Sequence, residues 1–334
     1  MSMSVPQQHR GDPWFEDGNI ILICEGNESA FKVHRGVLSR QSEIFQSLFE
    51  IPQPLDDGAE SLEGCQIVQM HDSAYELSNL IKGLYDGVKF HTRNLEDFFY
   101  LAGILRLATK YFISSLRTQA IRHLTQTWSH TLAGHDAMVD LALQSPLIDD
   151  TTYPYVHPLH ILNLAREVNV RIVVPSALYF LSLYPLEDLL RADHPKLLVE
   201  HPSRPSSELS LLDVRDYTLM FQHRLEVILS FVRRFTSERK CVQGFPTSGC
   251  QRTFAKLGSR LSRSWMTRTG PLHYMHQAEL ELNDDGNVCS LCRRSFQNDV
   301  KQLRQEVWDG LPGVVGLPCW GALEDMDLPK DEKS

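Results

Sequence analysis

Phe31-Lys32-Val33-His34-Arg35-Gly36-Val37-Leu38-Ser39-Arg40-Gln41-Ser42-Glu43-Ile44-Phe45-Gln46-Ser47-Leu48-Phe49 is the stretch in which the chain changes period. As far as His34 the pattern is that of a strand, with Ala30, Lys32 and His34 alternating against Phe31 and Val33. From Val37 the apolar residues Val37, Leu38, Ile44, Phe45, Leu48 and Phe49 recur at helical spacing, and Ser42 stands where the second of two short helices needs a cap. Upstream, the β-branched run Asn19 to Glu25 lies between Gly18 and Gly26 and predicts a buried strand, turned by Gly26-Asn27 into a hairpin with Ser29 to His34. Downstream, Pro52 and Pro54 end the second helix and an acidic loop runs from Asp56 to Glu63.

Further out, Cys65 to Met70 predicts a third strand, and Asp72 or Ser73 caps a helix that buries Leu77, Leu80, Ile81 and Leu84 before Gly87 stops it. Leu95, Phe98, Ala102, Leu105 and Phe112, then Leu116, Ala120, Leu124 and Trp128, continue at helical intervals. Beyond about residue 130 every clear pattern is helical: Leu132 to Gln144, Pro158 to Val168, Pro175 to Leu183 and Leu211 to Phe235. Asp193 to Ser207, rich in Pro and Ser, predicts an exposed loop, and Gly244 to Leu272 lacks strong periodicity and predicts another loop-rich segment. The expected class is α+β, a small sheet capped by helices followed by a mostly α-helical region.

The composition is that of a folded protein. Its 334 residues suggest about two domains at roughly 150 residues each. Forty-two acidic against 33 basic side chains give a net charge of -9, which disfavours adhesion of the whole chain to polyanions. The longest greasy stretch, Val168 to Leu186, is broken by Arg171, Pro175 and Pro185 and falls short of the ~20 apolar residues that span a bilayer, so no membrane contact is expected. The N-terminus lacks the apolar region of a secretory signal, which predicts an intracellular protein, cytoplasmic and/or nuclear. Seven cysteines, an odd number in such a chain, predict free thiols or a metal site rather than a disulfide framework.

Asp17 before the first strand, then Phe31-x-x-His34-Arg35-x-x-Leu38 and Ser42-x-x-Phe45-x-x-Leu48-Phe49, resembles the signature of the BTB/POZ family. The resemblance implies a BTB fold over 14–128, a module that self-associates and that in many relatives presents a face to cullin-type ubiquitin ligases or corepressors. The rest is similar to large fungal single-BTB proteins with a helical C-terminal half, a cysteine pair and a closing Leu-Pro-x-x-x-Gly-Leu-Pro-x-Trp phrase, here Leu311 to Trp320. The expected organisation is a disordered 1–13, the BTB domain at 14–128, a helical region at 129–238, a cysteine-containing region at 239–322 and an acidic disordered tail at 323–334. Asp17, Phe31, His34, Leu38, Ser42, Phe45, Leu48 and Phe49 are expected to be structural, His34 as a hydrogen-bonded residue at the strand-to-helix corner and Asp17 as a turn or cap acceptor. The loop after Phe49 reads Glu50-Ile51-Pro52-Gln53-Pro54-Leu55 and lacks the apolar-x-Glu motif of cullin-binding relatives, which puts cullin recruitment in doubt. Trp14 and Phe15 are candidates either for contact between protomers or for stapling onto their own domain.

Cys289-Ser290-Leu291-Cys292 is a Cys-x-x-Cys knuckle, a spacing that lets two thiolates reach one ion. Cys241 and Cys250 complete a four-cysteine structural zinc site, with His273 and His276 as alternative ligands and unliganded core cysteines as the competing reading. A redox role wants the pair at a helix N-terminus in a β-α-β frame, which is not evident.

Between Arg239 and Arg268 seven basic residues and no acid are interleaved with Phe254 and Trp265. They suggest either a phosphate-tracking surface that uses Arg260 and Arg263, or a solvated helix face pairing with Glu279, Glu281, Asp284 and Asp285, the favoured reading. No His-Glu-x-x-His, Gly-x-Ser-x-Gly or phosphate-binding glycine motif occurs, so no enzyme is expected. The sequence points to a scaffold or adaptor that binds protein partners and self-associates as a homodimer or BTB hetero-oligomer. Nucleic-acid regulator and ligase substrate adaptor are the alternatives.

Overall fold

The computed structural model describes residues 9–24, 29–50, 61–145, 152–237, 239–243, 249–266, 268–283 and 285–329. The Gly26-Asn27 turn, the 51–60 part of the loop before Glu63, and Asp284 lie outside the described residues. The chain divides into two compact units, 1–123 with 199–205, and 124–198 with 206–334.

The first unit is built on strands β1 (His9–Arg10), β2 (Ile20–Cys24), β3 (Ser29–Val33), β4 (Ser61–Leu62) and β5 (Cys65–Met70), in the order β1-β3-β2-β5-β4. β2 and β3 form the expected antiparallel hairpin, with Ile20 opposite Val33, and β2 runs parallel to β5, with Leu22 opposite Val68. β4 joins β5 through Glu63-Gly64, both at positive φ (52 and 73), as a two-residue hairpin turn requires. Glu63 tolerates that conformation where its carboxylate meets Lys32 at 3.1 Å and Arg10 at 2.6 Å.

Ile20, Leu22, Cys24, Phe31 and Val33 face the helices, whereas Ile21, Ile23 and Ala30 pack with Cys65 on the opposite face, joined by the partly buried Trp14, Leu62 and Ile67. A central strand covered on both sides explains why Ile20–Cys24 is apolar without alternation. The helices are α1 (Arg35–Gln41), α2 (Glu43–Glu50), α3 (Ala74–Asp86), α4 (Leu95–Lys110) and the greater part of α5 (Ser114–Thr127), which supply Leu38, Phe45, Phe49, Leu77, Leu80, Ile81, Ile104, Leu107 and Leu116 to the core. Burial of each such side chain contributes about 1.5 to 3 kcal/mol.

Two expectations change here. Residues 9–10 of the stretch expected to be disordered form β1, because the free edge of β3 takes them in parallel and Ala30 accepts the Gly11 N–H at 2.8 Å. Neither Asp72 nor Ser73 caps α3 through its side chain: Asp72 is drawn away to Lys110 at 2.6 Å and to the Tyr111 hydroxyl.

The second unit contains α6 (Leu132–Gln144), α7 (Pro158–Glu167), α8 (Val174–Leu181), α9 (Leu186–Arg191), α10 (Pro195–Leu198), α11 (Leu211–Ser230) continued by a π-helical stretch Phe231–Ser237, α12 (Gly249–Ser264), α13 (Pro271–Asn283), α14 (Ser290–Val314) and α15 (Trp320–Asp327). The segment expected to be loop-rich from Gly244 therefore holds α12, whose Cys250, Phe254, Leu257 and Leu261 are buried. The expected exposed loop Asp193 to Ser207 contains α10, with Lys196 and Leu197 buried, and Ser203 is fully buried in the first unit. There His201 lies flat on Phe99 (4.7 Å), meets Tyr75 edge-on (5.0 Å) and reaches Glu96 at 3.2 Å. Ser203 sits over Gly103, where a Cβ would come within 3.0 Å of its hydroxyl.

The acidic tail expected from residue 323 begins inside α15, and this part is ordered by packing. Leu323 is buried, Trp320 stacks on Trp308 at 5.5 Å, and Asp327 accepts the Arg171 and Ile172 N–H groups at 2.6 and 2.7 Å. Among the described residues no helix is long and apolar enough to cross a membrane.

Candidate metal centre

Four sulfurs converge at one end of the core formed by the π-helical stretch, α12, α13 and α14. Cys241 follows the π-helical stretch, Cys250 is in the first turn of α12, Cys289 is the N-cap of α14 and Cys292 lies in its first turn. Folding of Phe254, Leu257 and Leu261 against Phe296 and Val300 is what brings the two helix starts together. All four Sγ atoms lie within 4.8 Å of one another, and Cys292 Sγ is 3.7 Å from Cys241 Sγ. Four thiolates at about 2.3 Å around a single ion sit about 3.8 Å apart at the corners of a tetrahedron, so the spacing is that of one metal ion. A cluster of several irons spreads its thiolates more widely.

Backbone N–H groups meet two of the four sulfurs. The Val242 N–H donates to Cys292 Sγ at 3.3 Å and the Cys289 N–H to Cys250 Sγ at 3.2 Å. The starts of α12 and α14 add the partial positive charge of two helix N-termini. Burial pushes the Cys292 thiol up to about 12 and raises that of Cys250, while the Cys292 backbone N–H holds the Cys289 thiol below its ordinary value. Cys241, Cys250 and Cys292 are buried and Cys289 is half-buried. Arg239, two residues before Cys241, lies over the rings of Phe254 and Phe296, each at 5.3 Å, and pairs with Asp299 at 2.7 Å.

Among the described residues the metal-ligating group consists of the four cysteines alone. His273 and His276, the alternative ligands, are on α13 outside it, and His276 faces Glu279 at 3.8 Å. Cys289 and Cys292 do stand at a helix N-terminus, but that helix follows α13, not a strand, so the β-α-β frame of a redox pair is missing.

The other sequence-derived residues fall into two groups. Phe31, Leu38, Phe45 and Phe49 are buried and Leu48 partly so, while Ser42 Oγ accepts the Phe45 N–H at 3.1 Å and donates to the Tyr111 carbonyl at 2.6 Å. His34 caps nothing through its ring. The Tyr85 hydroxyl accepts the His34 backbone N–H at 2.9 Å and meets Nδ1 at 2.9 Å, while Nε2 faces Asp17 at 3.3 Å. Tyr85, which also stacks on Phe15 at 4.4 Å, is the member of this corner that the sequence pattern does not single out.

Trp14 packs on Ile21, Ile23 and Ala30 beneath Arg10, whose guanidinium is 4.7 Å from the ring, so both Trp14 and Phe15 rest on their own domain. In the basic stretch Arg260 pairs with Glu281, Arg268 with Asp188 at 3.1 Å, and Arg263 donates to the Ser259 carbonyl at 3.2 Å.

Comparison with family models matches residues 16–127 to the BTB/POZ domain, and these residues are a BTB/POZ domain. No curated protein and no solved structure matches the chain significantly.

Proposed function

From a chain that carries a BTB/POZ domain, a module of protein–protein interaction and not a known enzyme domain, we propose a non-enzymatic intracellular scaffold or adaptor. It self-associates through that domain, as a homodimer or with another BTB chain, and offers its helical second half to a protein partner. The family match carries this reading.

Zinc at Cys241, Cys250, Cys289 and Cys292 is the structural cofactor of the second half. It would tie the starts of α12 and α14 to the end of the π-helical stretch, replacing core that short connections cannot supply. All four positions being cysteine, with none left for water, favours a structural ion over a catalytic one. Arginines engaged with Glu281, Asp188 and Asp299 favour the solvated-face reading of the basic stretch over a nucleic-acid surface.

Native mass spectrometry of the purified chain tests both parts in one spectrum. A dimer carrying one zinc per chain is expected; a metal-free monomer would overturn the self-association and the zinc site together.

A further inference from the structure

The four sulfurs of the second unit share one site but differ in access. Cys241, Cys250 and Cys292 are 9, 4 and 0 % exposed, whereas Cys289 is half-buried at the N-cap of α14, two residues before the exposed Leu291. A reagent from solvent therefore meets Cys289 before its neighbours. The sulfurs also fall into two pairs. Cys250 Sγ lies against the Cys289 backbone N–H at 3.2 Å, and Cys241 Sγ stands 3.7 Å from Cys292 Sγ.

An ion and a disulfide make incompatible demands on such a site. A shared ion holds its sulfurs about 3.8 Å apart, whereas a disulfide draws two of them to ~2.05 Å, so neither pair can close while all four hold one metal. Once two sulfurs are spent on each other, only half of the tetrahedral ligand set remains. The topology adds a more specific consequence. A Cys250–Cys289 bond would join the start of α12 to the start of α14, and a Cys241–Cys292 bond would join the chain after the π-helical stretch to the first turn of α14. These are the same three points that the ion ties, so the core of Phe254, Phe296 and Val300 keeps its fastening when disulfides take the ion's place.

We propose that the four-cysteine site is redox-responsive: hydrogen peroxide enters at Cys289, the two disulfides form, and the metal is released with the helices still tied. This regulation rests on the zinc reading above and asks for no dithiol catalysis. The Cys289 thiolate attacks one peroxide oxygen, the O–O bond breaks and hydroxide leaves, which oxidises the sulfur by two electrons to a sulfenic acid. The Cys250 thiolate then attacks that sulfur, the S–S bond forms, the S–O bond breaks and a second hydroxide leaves. A second peroxide takes two electrons from Cys241 and Cys292 in the same way. Two peroxides, four thiolates and four protons thus give two disulfides, four waters and one free zinc ion.

Peroxide titration of the zinc-loaded full chain, read by a colorimetric zinc chelator and by intact mass, tests it. One zinc per chain is expected to appear, and the denatured chain should lose about 4 Da, the four hydrogens of two disulfides. Peptide mapping should give Cys250–Cys289 and Cys241–Cys292, circular dichroism should keep its helical signal, and a thiol reductant with added zinc should restore the starting mass. Dimedone, which captures sulfenic acids, should label Cys289 during a brief exposure and leave the other three ligands unlabelled. The exposed Cys319 serves as internal reference. Zinc that stays bound after Cys319 is fully oxidised would overturn the proposal, as would first labelling at a buried ligand, other pairings, or release accompanied by loss of helix. Failure of the zinc reading is distinct from these: the chain would then hold no metal before any peroxide is added, and the proposed regulation falls with it.

Discussion

Tyr85 and His157 show how single polar groups set local structure. The Tyr85 hydroxyl serves the His34 backbone N–H and Nδ1 together, at the point where β3 turns into α1. Tyr85→Phe keeps the stack on Phe15 but strands both groups. It should lower the unfolding free energy by about 1 to 3 kcal/mol, seen as a lower urea midpoint at unchanged slope. His157 caps α7 by accepting the Leu159 N–H at 3.1 Å on Nδ1, a bond that only the neutral ring can make. Burial, with smaller contributions from His194, His160 and Lys196, lowers its pKa from 6.5 to about 2. The folded value lies below the unfolded one, so its contribution is fully present above pH 6.5 and is lost as pH falls toward 2. His157→Asn retains a capping oxygen without the titration, and should flatten the fall of stability between pH 6.5 and 4 by up to about 1.4 kcal/mol per pH unit. A wild-type slope in denaturant titrations across that range would refute the assignment.

At the scale of elements, caps and periodicity decide what a sequence reveals. Asn94 opens α4 by accepting the Asp97 N–H at 2.9 Å on its side chain, and Asn94→Ala should cost about 1 kcal/mol, readable as a drop in thermal midpoint with the fold intact. The β2–β3 hairpin, the α1–α2 pair and the helices down to Trp128 are legible because long apolar side chains there keep a strict period, and the BTB signature is made of those same residues. α12 is not legible by that route. Its buried face is Cys250, Phe254, Leu257 and Leu261, a sound helical spacing, but Gly258, Ser259 and the three basic side chains Arg252, Lys256 and Arg260 between them dilute the signal. The cysteine quartet is readable as residue types and only half readable as a site. Nine positions separate Cys241 from Cys250, and nothing but the packing of Phe254 on Phe296 says that the two meet Cys289 and Cys292. Strands β1 and β4, two residues each, carry no period at all and exist only because neighbouring edges recruit them.

For the molecule as a whole, the four-cysteine site and the sheet belong to different units, which separates their fates. Removing zinc with a chelator should lower the melting temperature of the helical second unit while leaving hydrogen-exchange protection of β2 and β5 in place, and Cys292→Ser should reproduce the effect without chelator. Uniform loss of protection across both units would mean that they unfold as one. The short segment 199–205 has a different consequence. The chain passes from one unit to the other at 123–124, again at 198–199 and again at 205–206, so no single cut can part them. A fragment ended at Trp128, where the family match suggests stopping, leaves behind His201 and Ser203 and bares Phe99, Tyr75 and the notch at Gly103. Such a fragment is expected to be sticky, and to be restored to solution by a synthetic heptapeptide copied from 199–205. For gene recombination the outcome is stricter still: this BTB module cannot be shuffled between proteins as one contiguous exon, because its last piece is written some seventy residues downstream of its apparent end.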